Sequence, residues 1–295
     1  MDKNANAKSI GAISPDNSDT GAVEYSSAIF GDLSAFGLDD AKKSTVFRNR
    51  EAVKSIGDRI DATNAELIEK SLFLKTFKCP ICFKDSKIPA VRSSSIRFLK
   101  TDTDFMPVYK EPNPLLYYVE FCRFCGFAAI PASIKNFTAV QKQRIREQIS
   151  STWKFDKIYA THYDPKTAIE IHKLALYNAV VSEQKESIKA IISLHIGWLY
   201  RIAGDEANEF IFLKTAREGF ERAYTNESGS VGGLDKCSQQ YLIGELLRRT
   251  GDPLGALDWY KLVLLDRGAK QKIKDMARNQ KDAITAVYYS EAAHS

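Results

Sequence analysis

Cysteine is scarce in this chain of 295 residues, with five in all. Long apolar runs are scarcer still. No segment approaches eighteen uninterrupted apolar residues, which argues against an ordinary helical membrane span. The opening stretch, residues 1–21, has no apolar run of the kind a secretory leader needs. Both absences lead to the expectation of a cytoplasmic protein with no membrane partner. Thiols stay reduced there, so cysteine pairs serve as metal ligands or redox centres more readily than as disulfides. The sequence also lacks a G-x-x-x-x-G-K-[ST] or G-x-G-x-x-G phosphate loop, an H-E-x-x-H pair and a G-x-S-x-G elbow. His172 and His195 fall at helical positions that suit packed imidazoles, and His162 lies in a loop before Asp164-Pro165. Strong charge is missing as well: a net charge of +5 leaves nucleic acid open as a partner without arguing for it.

What is present is the composition of a globular protein, 44% hydrophobic and 27% charged. Residues 1–44, rich in Ser, Asp, Asn, Ala and Gly, read as a disordered tail. Within it Ile29, Phe30, Leu33, Phe36 and Leu38 form an apolar patch, suited to docking elsewhere or to folding back on the chain itself. Residues 45–72 carry a helical period and form a lead-in. Residues 73–135 change to β-branched and aromatic runs punctuated by proline, a small β-rich module. From 136 to 295 the pattern is helical, with helices expected near 138–152, 165–182, 186–203, 206–225, 235–250, 253–266 and 270–290. The last, with Lys270, Lys272, Lys274 and Arg278, reads as a polar cap.

Four of the five cysteines form two C-x-x-C pairs, Cys79-Pro-Ile-Cys82 and Cys122-Arg-Phe-Cys125, with 39 residues between them. Each pair brings two thiolates within one metal radius, and two facing knuckles complete a tetrahedral set suited to Zn²⁺. A thioredoxin-type dithiol needs one pair beside a strand–helix unit, and iron–sulfur ligation suits a β-knuckle setting less well. One structural zinc is therefore expected, closed to water and substrate, with its binding free energy largely spent on folding. Gly126 follows the second pair, where the turn needs a positive φ. The first pair has Phe83 at that place, so its turn must close with strain or with another geometry. Between the pairs, Arg92, Arg97, Lys100, Asp102, Asp104 and Tyr109 form a candidate polar cluster. Arg92, Asp102, Asp104 and Tyr109 stand out as an anion or cation contact, against the plainer alternative of Arg–Asp pairs bracing a long loop. An enzyme built on this loop requires those residues to converge in a pocket.

Behind Lys78-Cys79-Pro80-Ile81-Cys82, the run from 91 to 130 resembles a bacterial family catalogued as domain of unknown function 2225. The resemblance rests on the knuckles, Val91-Arg92-Ser93-Ser94, Asp102 to Phe105, Tyr109 and Asn113-Pro114-Leu115, and spans roughly residues 70–290. It implies a zinc ribbon followed by a tetratricopeptide-like helical region and brings no activity with it. Phe83 and the long N-terminal segment depart from it.

Two segments repeat one design: residues 195–206 and 242–253 align Gly197 with Gly244, Gly204 with Gly251, and Asp205 with Asp252. A small residue lets two helices approach, a left-handed glycine ends the first, and an Asp caps the second. Ala216 and Phe220 then match Ala256 and Tyr260. The spacing of 47 residues exceeds the usual 34, with loops absorbing the excess. In this register Trp198, Arg201, Tyr241, Arg248 and Arg249, with Glu245, line a peptide groove. Arg201 and Arg248 sit at equivalent places, suited to gripping a carboxylate-rich segment or simply to the ends of their helices.

The fold class expected is thus α+β, a small β-rich zinc-ribbon module followed by an all-α tetratricopeptide-like helical repeat domain. The function expected is a non-enzymatic cytoplasmic scaffold or adaptor with a protein or peptide partner, acidic if the arginines read it. The alternative is a nucleic-acid-binding zinc ribbon, with Lys75, Lys78, Lys84, Lys87, Arg92, Arg97 and Lys100 on phosphates and Phe77, Phe98 or Tyr109 on bases.

Overall fold

A computed structural model describes residues 30–38, 40, 65–155, 157, 159–230 and 232–292. A short helix, α1 (Ala65–Ser71), leads into three separate antiparallel hairpins: β1 (Leu72–Lys78) with β2 (Asp85–Val91), β3 (Arg97–Thr101) with β4 (Pro107–Lys110), and β5 (Glu120–Phe121) with β6 (Ala128–Ala129). Helices follow: α2 (Pro131–Ile134), α3 (Ala139–Ile145) running into a π-helical turn over Arg146–Ser150, α4 (Pro165–Val181), α5 (Glu186–Ala203), α6 (Glu206–Asn226), α7 (Lys236–Arg249), α8 (Pro253–Leu265) and α9 (Gln271–Ala292). The protein is α+β, in the expected order of small β hairpins and then helices.

Local chemistry sets the helix ends. Asp164, Asp205, Asp235 and Asp252 each accept a backbone N–H from three residues on, satisfying donors that the first turn leaves free. Gly204 ends α5 at φ 73°, and Gly251 lies in the same left-handed region at 85° where α7 gives way to α8. Close approach explains the other repeated glycines. A Cβ on Gly197 would stand 2.9 Å from Leu213 Cδ2, and one on Gly244 2.8 Å from the Tyr260 ring. Ala216, Phe220, Ala256 and Tyr260 are wholly buried beneath those contacts. Helices α5–α6 and α7–α8 are therefore two helical pairs of one design, packed successively.

The buried side chains of the β-rich part belong to one core shared with the helices. β3 is exposed along its whole length and β4 is only partly covered, so the β3–β4 hairpin gains little from its strand faces beyond the Phe98–Tyr109 pair. The second knuckle, by contrast, is gripped by side chains from the helical region and the loop after its π-helical turn: Ser150 Oγ donates to Cys125 O at 2.9 Å, Trp153 Nε1 to Arg123 O at 2.8 Å, and Asn178 Nδ2 to Gly126 O at 3.0 Å. These bonds cross the boundary expected near residue 135.

The disordered tail expected over 1–44 does not hold for residues 30–38. Gly31–Phe36 form a 3-10 helix, and Phe30, Leu33, Phe36 and Leu38 are buried. Phe36 stacks on Trp153 at 4.9 Å and Phe30 meets Tyr177 edge-on at 5.6 Å. The apolar patch folds back on the chain because four large side chains find an aromatic seat there. The rest of the expected tail and residues 45–64 of the lead-in lie outside the described residues, apart from Asp40.

His172 is fully buried, and its Nδ1 donates to Ala168 O at 2.7 Å. Burial pushes its pKa from 6.5 down to about 4. The unfolded chain thus takes up a proton that the folded chain refuses between those values, and this group's stability contribution, full above 6.5, is lost as pH falls through about 4. Glu218, which burial raises to about 6, acts in the opposite sense. The test therefore compares variants: urea midpoints of the wild type should fall more steeply than those of His172→Gln between pH 6.5 and 4.

Candidate metal centre and ion-pair network

The two C-x-x-C turns fold alike. In each, the first cysteine's carbonyl accepts from the residue four on, Phe83 N–H to Cys79 and Gly126 N–H to Cys122, both at 3.0 Å. In each, the first cysteine's N–H donates back across the turn, to Lys84 O at 3.1 Å and to Phe127 O at 2.7 Å. The geometry needs a left-handed residue, and Gly126 at φ 73° supplies it freely. Phe83 takes the same conformation at φ 63°, at a cost of roughly 1–2 kcal/mol for a residue with a Cβ. Strain, not another geometry, is how the first knuckle closes.

The four Sγ atoms all lie within 4.8 Å of one another. Cys79 and Cys125 stand 3.6 Å apart, as do Cys82 and Cys122. Sulfurs around one tetrahedral ion with bonds of about 2.3 Å are separated by about 3.8 Å. None of the four forms a disulfide. As free thiols they cannot all ionise: hydrogen bonds from Cys122 and Cys125 pull Cys79 down to about 4, and the bonds with Cys122 and Cys79 push Cys125 up. A cation removes that conflict, so the donor set fits a metal ion. Cys237 stands apart and is buried on α7.

The residues expected to line a groove and half of the expected loop cluster meet each other. The β3–β4 turn, residues 102–106, enters the helical region. Asp104 is wholly buried, and its Oδ2 accepts from Arg201 NH2 at 2.6 Å and from Trp198 Nε1 at 3.0 Å. Asp102 Oδ2 accepts from Arg201 NH1 at 2.9 Å and faces Arg249 NH2 at 3.1 Å. Glu209 takes the remaining edge of Arg201, its Oε1 2.7 Å from Nε. Glu245, also fully buried, accepts from Arg248, Arg249, Thr103 Oγ1 and the Tyr260 hydroxyl at 2.5 to 3.0 Å. Phe105, at φ 67°, sets its ring 5.3 Å from that of Tyr241.

Electrostatics favours the ionised form of Asp102 and Glu245. Burial opposes charge on Asp102, but the Thr103 N–H and then Arg249 and Arg201 hold its carboxyl below the ordinary value. Glu245 is lowered despite burial, through hydrogen bonds from Arg248 and Thr103. Burial alone would lower Arg201, yet Asp104 and Glu209 raise it. Three guanidiniums thus face four carboxylates of the same chain, and no surplus positive charge is left for an outside acid. The carboxylate-rich segment that Arg201 was expected to grip is the chain's own. Arg248 turns instead to Glu245 three residues before it.

Arg92 and Tyr109 do not join. Arg92 donates to Lys70 O and lies over the Phe73 ring, while Tyr109 meets Phe98 edge-on. The four residues of the expected loop cluster therefore do not converge in a pocket. Asp102 and Asp104 pair across nearly a hundred residues rather than with neighbouring strands. Phe77, expected to stack on bases, is buried against Phe127, and Lys75 pairs with Glu120. Glu209 and Thr103 were not anticipated, and no local pattern marks them.

Fold and site define an α+β protein with a four-cysteine, metal-competent cluster joined to a helical region. The chain matches the family model described as "uncharacterized protein conserved in bacteria (DUF2225)" over residues 72–284 and belongs to that family. No curated protein and no solved structure matches it.

Removing one partner of a buried pair strands the others. Asp104→Ala should cost about 3–5 kcal/mol in urea unfolding, whereas Asp275→Ala, which breaks an exposed pair with Arg278, should change stability by less than about 0.5 kcal/mol.

Proposed function

We propose that this protein is a non-enzymatic scaffold, with one structural Zn²⁺ on Cys79, Cys82, Cys122 and Cys125 and a tetratricopeptide-like helical surface for a protein partner. The zinc assignment draws on four sulfurs at tetrahedral spacing, all committed and leaving no open position for chemistry. Two C-x-x-C turns in separate hairpins give it the form of a zinc ribbon, and reduced thiols suit a cytoplasmic setting. The tetratricopeptide-like reading draws on the two helical pairs with their matched Gly and Asp positions.

The observation that carries the scaffold reading is the seating of the Asp102–Met106 turn. Trp198, Arg201, Tyr241 and Arg249 hold a short acidic and aromatic segment through bidentate ion pairs, an indole hydrogen bond and a ring contact. These are the means by which helical repeats hold peptides, turned inward. A partner then meets the outer helical face, where Leu254, Leu262 and Leu265 of α8 are exposed.

Elemental analysis of the purified chain should find one zinc per chain, and Cys122→Ser should lose it with a drop of roughly 10 °C in thermal midpoint. Affinity capture from cytosol should recover a defined protein that resists nuclease and is lost in Leu262→Glu/Leu265→Glu. Its recovery by both wild type and variant, or not at all, contradicts the scaffold reading.

A further inference from the structure

The two knuckles differ in one way that their shared geometry does not explain. Gly126 has no alternative: a Cβ there would lie 2.5 Å from the Trp153 ring. At the matching place the chain keeps Phe83 in the left-handed region, although the ring is 66% exposed and glycine would relieve the strain. Strained backbone of this kind clusters at ligand clamps and active sites.

Its surroundings suggest what. Phe124, the middle of the second knuckle, is 42% exposed. Lys84 Nζ and the Arg123 guanidinium each stand 5.1 Å from the centre of its ring. Arg123 also lines a cleft of about 280 Å³ with Lys87 and Lys157 and with the rings of Phe121, Phe155 and Tyr159. Phe124 thus meets two cations, Lys84 next to Phe83 in the chain and Arg123 at the edge of an aromatic-walled cleft. The β-rich part as a whole also carries the chain's excess charge. Residues 72–135 hold ten Lys and Arg against five Asp and Glu, the whole of the chain's +5, and the remaining residues balance at 32 of each. Four thiolates on a divalent ion contribute −2 at the centre, but the ammonium and guanidinium groups stand outside it.

We infer that this knuckle face binds single-stranded nucleic acid, with bases stacked on Phe83 and Phe124 and phosphates on Lys84, Arg123 and Lys87. Rings accept any base by its face, and cations track the backbone, so the site has little sequence preference. A duplex keeps its bases stacked internally and offers these rings nothing. The surface is separate from the outer helical face proposed for a protein partner, so either reading can fail alone.

The test is fluorescence anisotropy of the full-length, zinc-loaded chain with labelled fifteen-nucleotide oligouridine, titrated at several salt concentrations. Binding is expected to weaken with salt, with a log–log slope of about −2 for three phosphate contacts. Phe83→Gly and Phe124→Ala are each expected to weaken binding by about tenfold. Phe83→Gly should do so without lowering the thermal midpoint, because it removes a strained residue. Free uridine monophosphate should compete poorly, which separates a strand from a nucleotide ligand. Absence of binding at about 50 mM salt, a flat salt response, equal affinity for a duplex, or full affinity in Phe83→Gly/Phe124→Ala overturns the inference. So does a Phe83→Gly chain that melts below the wild type, since the ring is then structural.

Discussion

A carboxylate without access to water must be paired or neutralised, and Asp104 is such a group. Its position at the tip of an exposed hairpin dictates much of the architecture. The β3 strand buries no residue, so the hairpin is held at its tip. Trp198 and Arg201 meet Asp104 there. Arg201 in turn requires Asp102 and Glu209 to satisfy its remaining donors, and Arg249 links Asp102 to Glu245. One buried charge thus draws three helices, α5, α6 and α7, onto a turn remote from them in sequence.

The metal-competent cluster is tied to the helices by a second joint. Ser150, Trp153 and Asn178 donate to carbonyls of the second knuckle, and the 30–38 segment packs on the same Trp153. Small hairpins of two strands are marginal by themselves. Here their order comes from thiols at one end, helical side chains beside them, and ion pairs at the far tip. The cost of such ion pairs is desolvation, which makes them specific rather than cheap. Their direction fixes where the hairpin must sit.

Sequence reasoning reached everything that is encoded locally. Helix bounds came within a few residues because a 3.6 period, Asp caps and left-handed glycines act over one turn of chain. The cysteine pairs declared themselves because ligand spacing is set by a turn of four residues. The same reasoning placed Asp102 and Asp104 in one cluster and Arg201 and Arg249 in another. It did not join them, because a pairing across 97 or more residues leaves no periodic trace. Phe30 to Leu38 was legible as an apolar patch, but not its seat, which is built from Trp153 and Tyr177 far along the chain. Phe83 was flagged as a departure from glycine, and only the packing around Gly126 reveals that the departure is a choice rather than a necessity.

The union of hairpin tip and helices through Asp104 and Arg201 is tested most directly by a double-mutant cycle of Asp104→Asn and Arg201→Gln in urea unfolding. The expected result is a coupling of roughly 1–3 kcal/mol, with the double variant far less destabilised than the sum of the singles. Additivity within about 0.5 kcal/mol would mean that the tip is held by packing alone, and that the ion pairs follow the architecture instead of fixing it.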